Sequence, residues 1–161
     1  MKKILFLFAF AISLLSCAHS EEKKKAIKET NELTYLALGD SYTIGESVHS
    51  SLRWPVQLSD SLRERGIPLN HPRIIAKTGW TTADLLAAMD KRLKDEKFDL
   101  VSVLIGVNNQ YQGKSIEKYE KELREVLQRA INRSNSGVDG VFAVSIPDLS
   151  LIHISEPTRP Y

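Results

Sequence analysis

Leu36-Ala37-Leu38-Gly39-Asp40-Ser41-Tyr42-Thr43-Ile44-Gly45 is a short apolar run that breaks into Gly-Asp-Ser and then into a polar, glycine-bearing loop. A run of this length closed by turn residues predicts a buried strand. A serine at the carboxyl end of such a strand stands where open α/β sheets bind their ligands, which makes Ser41 a candidate nucleophile. Alone the tripeptide is weak, because Ser41 serves equally well as a turn cap. Its meaning depends on whether the rest of the chain supplies partners.

Outward from that stretch, strand and helix signals alternate. Leu33 to Leu38 forms the first predicted strand, and Tyr42 to Ser51 a loop. The spacing of Trp54, Val56, Leu58, Leu62 and Ile67 suits an amphipathic helix, with Pro55 tolerated in its first turn and Gly66 ending it. Arg73 to Lys77 reads as a second strand, Thr78 to Thr82 as a turn, and Thr82 as the N-cap of a helix through Leu85, Leu86, Met89 and Leu93. Phe98 to Ile105 is nearly continuous in apolar residues, the pattern of a strand buried on both faces. It ends in the turn Gly106-Val107-Asn108-Asn109. A charged helix follows from about Ser115 to Asn132, with Ile116, Tyr119, Leu123, Val126, Leu127 and Ala130 as its buried stripe. Ser134 to Gly140 is a loop, and Val141 to Ile146 a fourth strand before Pro147-Asp148. This order predicts an α/β domain with a parallel sheet covered on both faces.

Three turns at the same edge of that sheet carry complementary chemistry. Ser41 offers a hydroxyl, Gly79 an unobstructed backbone N–H, and Asn108 an amide donor. Acyl transfer needs a nucleophile and donors aimed at a developing oxyanion. Gly79 as a plain turn glycine and Asn108 as an ordinary loop asparagine are the simpler alternatives. Asp40 reads as holding its turn by hydrogen bonds, and Trp54 and Trp80 as packing residues.

Over residues 33–148 the chain resembles the GDSL, or SGNH, hydrolase family. The blocks that carry the resemblance are Gly39-Asp40-Ser41, Gly79 and Gly106-x-Asn108, in that order and each after a predicted strand. The resemblance implies a flavodoxin-like three-layer α/β/α sandwich lacking its C-terminal part. It implies Ser41 as nucleophile, and the Ser41 N–H, the Gly79 N–H and the Asn108 side chain as oxyanion hole. It implies no metal or organic cofactor, and a small-molecule ester as substrate: a carboxylic ester, a lysophospholipid or an acetylated glycan. Asn109 stands where many members carry aspartate.

The family's last block, Asp-x-x-His, supplies the base, and no such block occurs in the sequence. His153 follows Asp148 at the wrong spacing, His19 falls in a polar tether, and His49 and His71 read as surface residues of loops. The run Leu149 to Arg159 resembles the translation of a transposase-end adapter used in sequencing-library preparation, so residues 149–161 are expected to be non-native. The chain as written is then expected to be inactive, and the natural protein to continue beyond Asp148 into the missing block.

The amino terminus has its own logic. Met1-Lys2-Lys3 precedes an apolar run from Ile4 to Leu15, short for a bilayer span but suited to a signal-peptide core. It ends in Leu14-Leu15-Ser16-Cys17, similar to a bacterial lipobox. Residues 1–17 are therefore expected to be a lipoprotein signal with Cys17 as the lipidated residue, and residues 18–32 a solvated tether. Cys17 is the single cysteine, which excludes an internal disulfide. The expected location is secreted and anchored to a bacterial membrane. A net charge of +2, with much of the positive excess in the amino-terminal stretch, gives no nucleic-acid patch. The competing function is a non-catalytic surface lipoprotein that uses the fold to bind a carbohydrate or other ligand. A nucleotide-binding flavodoxin-like reading fails because the first loop lacks a phosphate cradle.

Overall fold

A computed structural model describes residues 32–146 of the chain. Cys17, His19, Asp148, His153, the signal segment, the tether up to residue 31 and the adapter-like tail lie outside them.

The described residues form a four-stranded, wholly parallel sheet: β1 (Tyr35–Gly39), β2 (Arg73–Ala76), β3 (Leu100–Leu104) and β4 (Val141–Ala143), in the order β2-β1-β3-β4. Five α-helical segments join them: α1 (Ser41–Ile44), α2 (Trp54–Glu64), α3 (Thr82–Arg92), α4 (Val107–Tyr111) and α5 (Ile116–Asn132). From β1 the chain moves outward to β2, then returns past β1 to β3. The connection reverses direction at that point, so the crevice between the carboxyl ends of β1 and β3 is the sheet's topological switch point.

The period of two along β1 decides the layers. Leu36 and Leu38 turn to one face and join Ile75, Val101, Val103, Leu85, Met89 and Val126 in the larger core, under α3 and α5. Tyr35 and Ala37 turn to the other and pack with Leu69, Leu58 and Leu62 under α2. Helices therefore cover both faces, giving the expected three-layer α/β/α sandwich. The Tyr35 hydroxyl is buried and hydrogen-bonded to Ser102 Oγ at 2.9 Å; burial pushes its pKa up to about 12. Among the described residues no helix is long and apolar enough to cross a membrane.

Several boundaries differ from expectation for local reasons. The helix after β2 is capped by Thr81, not Thr82. The Thr81 hydroxyl accepts from Asp84 N while Asp84 Oδ2 accepts from Thr81 N and Oγ1, a reciprocal capping box. Ile116 is 68% exposed and does not belong to the buried stripe of α5; it is the first residue of the helix, next to the cap Ser115. β3 is shorter than its apolar run, because Phe98 leaves the ladder for an isolated bridge to Ser134. β4 likewise ends at Ala143 rather than Ile146. The loop after Ser41 and the turn after Gly106 are both helical at their starts.

Candidate active site

Gly39 pairs with both Ala76 and Leu104, so β1, β2 and β3 end level and their loops leave one edge together. Asp40 caps the turn that follows. Its Oδ1 accepts from Tyr42 N at 3.0 Å, which lets Ser41 begin α1. Gly45, at φ +67, ends that turn in the left-handed region. Ser41 is half-buried, and its N–H at the first helical position has no intrahelical acceptor. Asp40 thus does the turn-holding work expected of it.

Gly79 sits in the turn after β2 at φ +82, with nothing within 4 Å of where a Cβ would stand. Its backbone is open, and its carbonyl accepts from Gln112 Nε2 at 3.4 Å. Asn108 lies in the first turn of α4, after Gly106, and its Nδ2 donates to Trp80 O at 2.9 Å. That bond uses one of the two amide hydrogens and leaves the other available. The Thr78 hydroxyl donates to Glu46 Oε2, tying the second loop to the first. The three turns that sequence analysis singled out are therefore cross-linked at one edge: Glu46 to Thr78, then Trp80 to Asn108.

Asn109 contributes more than its place in the motif foretold. It is buried, and its Oδ1 accepts from Thr82 N at 3.0 Å while its Nδ2 donates to Thr82 Oγ1 at 2.7 Å. The Thr82 hydroxyl is then free to donate to Glu122 Oε2, at 2.5 Å. An aspartate at 109 would compete with Glu122 for that one hydroxyl hydrogen, so the asparagine matches the glutamate on α5. This clamp fixes α4, and with it Asn108, against α3. Nothing in the sequence pattern links residues 82, 109 and 122; only the fold does.

The Asp40 carboxyl is fully buried, and Oδ2 has no partner among the described residues. Burial pushes its pKa from 3.8 up to about 6, against the smaller opposing effect of the Tyr42 N–H. The folded state therefore holds this proton more tightly than the unfolded chain. The resulting stability is fully present below pH 3.8 and is lost as pH rises through about 6. Asp40→Asn keeps the acceptor for Tyr42 and cannot ionise. Its Tm advantage over the parent is expected to grow between pH 4 and 7, by several degrees, in parallel thermal melts; equal pH slopes for the two would refute the burial argument.

His49 and His71 are exposed. His49 Nδ1 bonds Ser51 Oγ at 2.9 Å, and His71 Nε2 lies 3.2 Å from Arg63 Nη2. Neither is bonded to Ser41. Trp80 packs against the core with Arg92 5.6 Å above its ring, as a packing residue would. Among the described residues no three of His, Cys, Asp or Glu group as metal ligands.

Comparison with known proteins agrees with this geometry. The model of the GDSL-like Lipase/Acylhydrolase family matches residues 37–158, a span that runs on into the adapter-like stretch. Among solved structures, TesA superposes with a TM-score of 0.61 at 24% identity, covering 70% of this chain and 60% of its own. AlinE4, an SGNH-hydrolase family esterase, gives 0.53 at 28% identity, covering 61% and 52%. EstA, a psychrotrophic esterase from Pseudoalteromonas sp., gives 0.58 at 17% identity, covering 74% and 63%. The chain thus spans little more than half the length of these structures. No curated protein sequence matches it. A family match over most of the chain, on a fold that brings the three sequence blocks to one sheet edge, shows that the chain belongs to the GDSL-like lipase/acylhydrolase family.

Proposed function

We propose that the natural protein is a serine ester hydrolase. Ser41 Oγ attacks the ester carbonyl, an acyl-enzyme forms as the alcohol leaves, and water releases the acid. The Ser41 N–H, the Gly79 N–H and the free Asn108 amide hydrogen stabilise the oxyanion. The observation that carries this reading is the cross-linked edge, where an unpaired helical N–H, an open glycine and a clamped amide donor accompany one half-buried serine. The substrate is a small carboxylic ester, a lysophospholipid or an acetylated glycan.

The base comes from an Asp-x-x-His block absent from this sequence, which we place in the natural continuation beyond Asp148. We further propose that Cys17 carries a lipid anchor and that the domain works outside the cell, at a bacterial membrane. The alternative, a ligand-binding lipoprotein without catalysis, is favoured if that continuation has no such block.

In the gene product carrying the block, Asn108→Ala is expected to lower kcat for a p-nitrophenyl ester by about 10²–10³-fold. KM should change little. A variant with unaltered kcat would remove Asn108 from the oxyanion hole.

A further inference from the structure

α4 has five residues, too few to hold its own place, so side-chain bonds to residues 79–82 decide where Asn108 stands. Asn108 Nδ2 donates to Trp80 O in a part-buried bond, and Gln112 Nε2, at the C-cap, donates to Gly79 O in an exposed one. The Asn109–Thr82 pair is the wholly buried attachment. Every hydrogen in that pair has a forced direction. Thr82 N can only donate, so Asn109 must present Oδ1 to it. Asn109 then turns Nδ2, which can only donate, on Thr82 Oγ1. The hydroxyl accepts there, and its own hydrogen must go to a third group. Glu122 Oε2 receives it at 2.5 Å, from a side chain 16% exposed, while Oε1 faces Lys118 Nζ at 3.7 Å.

We propose that Glu122 is a positioning residue for ester hydrolysis. By taking the Thr82 hydrogen it sets the polarity of the Asn109–Thr82 clamp, and through the clamp it holds the Asn108 amide hydrogen toward the oxyanion. Its effect on turnover rests on the oxyanion role given to Asn108 above. The same chain of bonds can be satisfied in the opposite direction. Asn109→Asp keeps an acceptor for Thr82 N, but its second oxygen then competes for the hydroxyl hydrogen and no longer donates to Thr82 Oγ1. With Glu122 in place, two carboxylates face one hydroxyl and repel each other. Glu122→Gln added to that variant supplies the missing donor from its amide, so every group is paired again with the polarity reversed. Residues 109 and 122 are therefore exchangeable as a pair and not singly.

The test is a double-mutant cycle in the gene product that carries the Asp-x-x-His block, read as kcat and KM for p-nitrophenyl acetate. Asn109→Asp is expected to lower kcat about tenfold with KM unchanged, because a displaced oxyanion donor is missed only in the transition state and costs less than its deletion. Glu122→Gln is expected to cost about threefold, its amide oxygen being a weaker acceptor than a carboxylate. The double variant should lose about threefold, against the roughly thirtyfold to which independent effects would multiply. In an Asn108→Ala background neither change should lower kcat further, whereas general damage to the domain would lower it there too. The Asn108 side-chain amide resonances, assigned in the ¹⁵N-labelled protein by their loss in Asn108→Ala, should move in Asn109→Asp and return in the double variant. Should Asn109→Asp fail to fold, Glu122→Gln with and without Asn108→Ala still reads the positioning. The proposal fails if the single effects multiply in the double variant, if either change costs as much kcat without Asn108 as with it, or if the Asn108 resonances do not move. Unaltered kcat in Asn108→Ala alone would instead remove the oxyanion role, and the resonances would still decide whether Glu122 places that side chain.

Discussion

Ser41→Ala is expected to lower kcat for p-nitrophenyl acetate by roughly 10⁴-fold or more when introduced into the gene product that carries an Asp-x-x-His block. The 161-residue chain as written is expected to hydrolyse the same ester no faster than its own Ser41→Ala variant. Both results follow from one requirement. A serine hydroxyl becomes a useful nucleophile only when a neighbouring base takes its proton. The groups nearest in sequence are occupied elsewhere. Asp40 gives its Oδ1 to the Tyr42 N–H, and its buried carboxyl favours the protonated form up to about pH 6. His49 is engaged with Ser51, and His71 lies against Arg63. Initial-rate and burst measurements on the four proteins separate the cases. Ser41-dependent turnover by the chain without the block would mean that another group activates the serine, and the proposed catalytic arrangement would have to be redrawn.

How far the sequence foretold this site depends on the range of the interaction concerned. The strand ends, read at Leu38, Lys77 and Ile105 and found at Gly39, Ala76 and Leu104, were legible to within one residue because an apolar run stops where turn residues begin, a signal contained within a few positions. The placing of Ser41, Gly79 and Asn108 at one edge then follows from parallel connectivity alone. Caps are less secure. Thr81 and Thr82 are identical in type, and the choice was made by Asp84 reaching back to residue 81, which leaves Thr82 free to serve the Asn109 clamp. Ile116 looked buried by period, yet it stands 68% exposed as the first residue of α5. The Asn109–Thr82–Glu122 chain was not legible at all. It joins groups that only the tertiary fold brings together, and no local spacing encodes that.

Gly39→Ala is the second large effect, and it bears on stability rather than chemistry. A Cβ at residue 39 would stand 2.1 Å from Thr43 Oγ1 and 2.4 Å from Leu104 O. The first contact is with a side chain, the second with the backbone of β3, which is locked in register beside β1. Overpacking against groups that cannot move aside costs about 3 kcal/mol, equivalent to roughly 10 °C or more in Tm for a domain of this size. Gly79→Ala offers a contrast at the same edge. Its Cβ meets nothing, so only the left-handed backbone is penalised, at about 1 kcal/mol. The pair Gly39→Ala/Thr43→Ala apportions the cost. Thr43 is buried, and its hydroxyl has no partner among the described residues, so truncating it removes one of the two clashes. Partial recovery of Tm is expected, because the Leu104 carbonyl remains in the way. Full recovery would place the whole cost on the α1 turn and none on β3; a stable Gly39→Ala single variant would overturn the close approach itself. Under the expected result, the glycine that begins the Gly-Asp-Ser motif is fixed by the packing of β1 against β3 and α1, independently of any chemistry at Ser41.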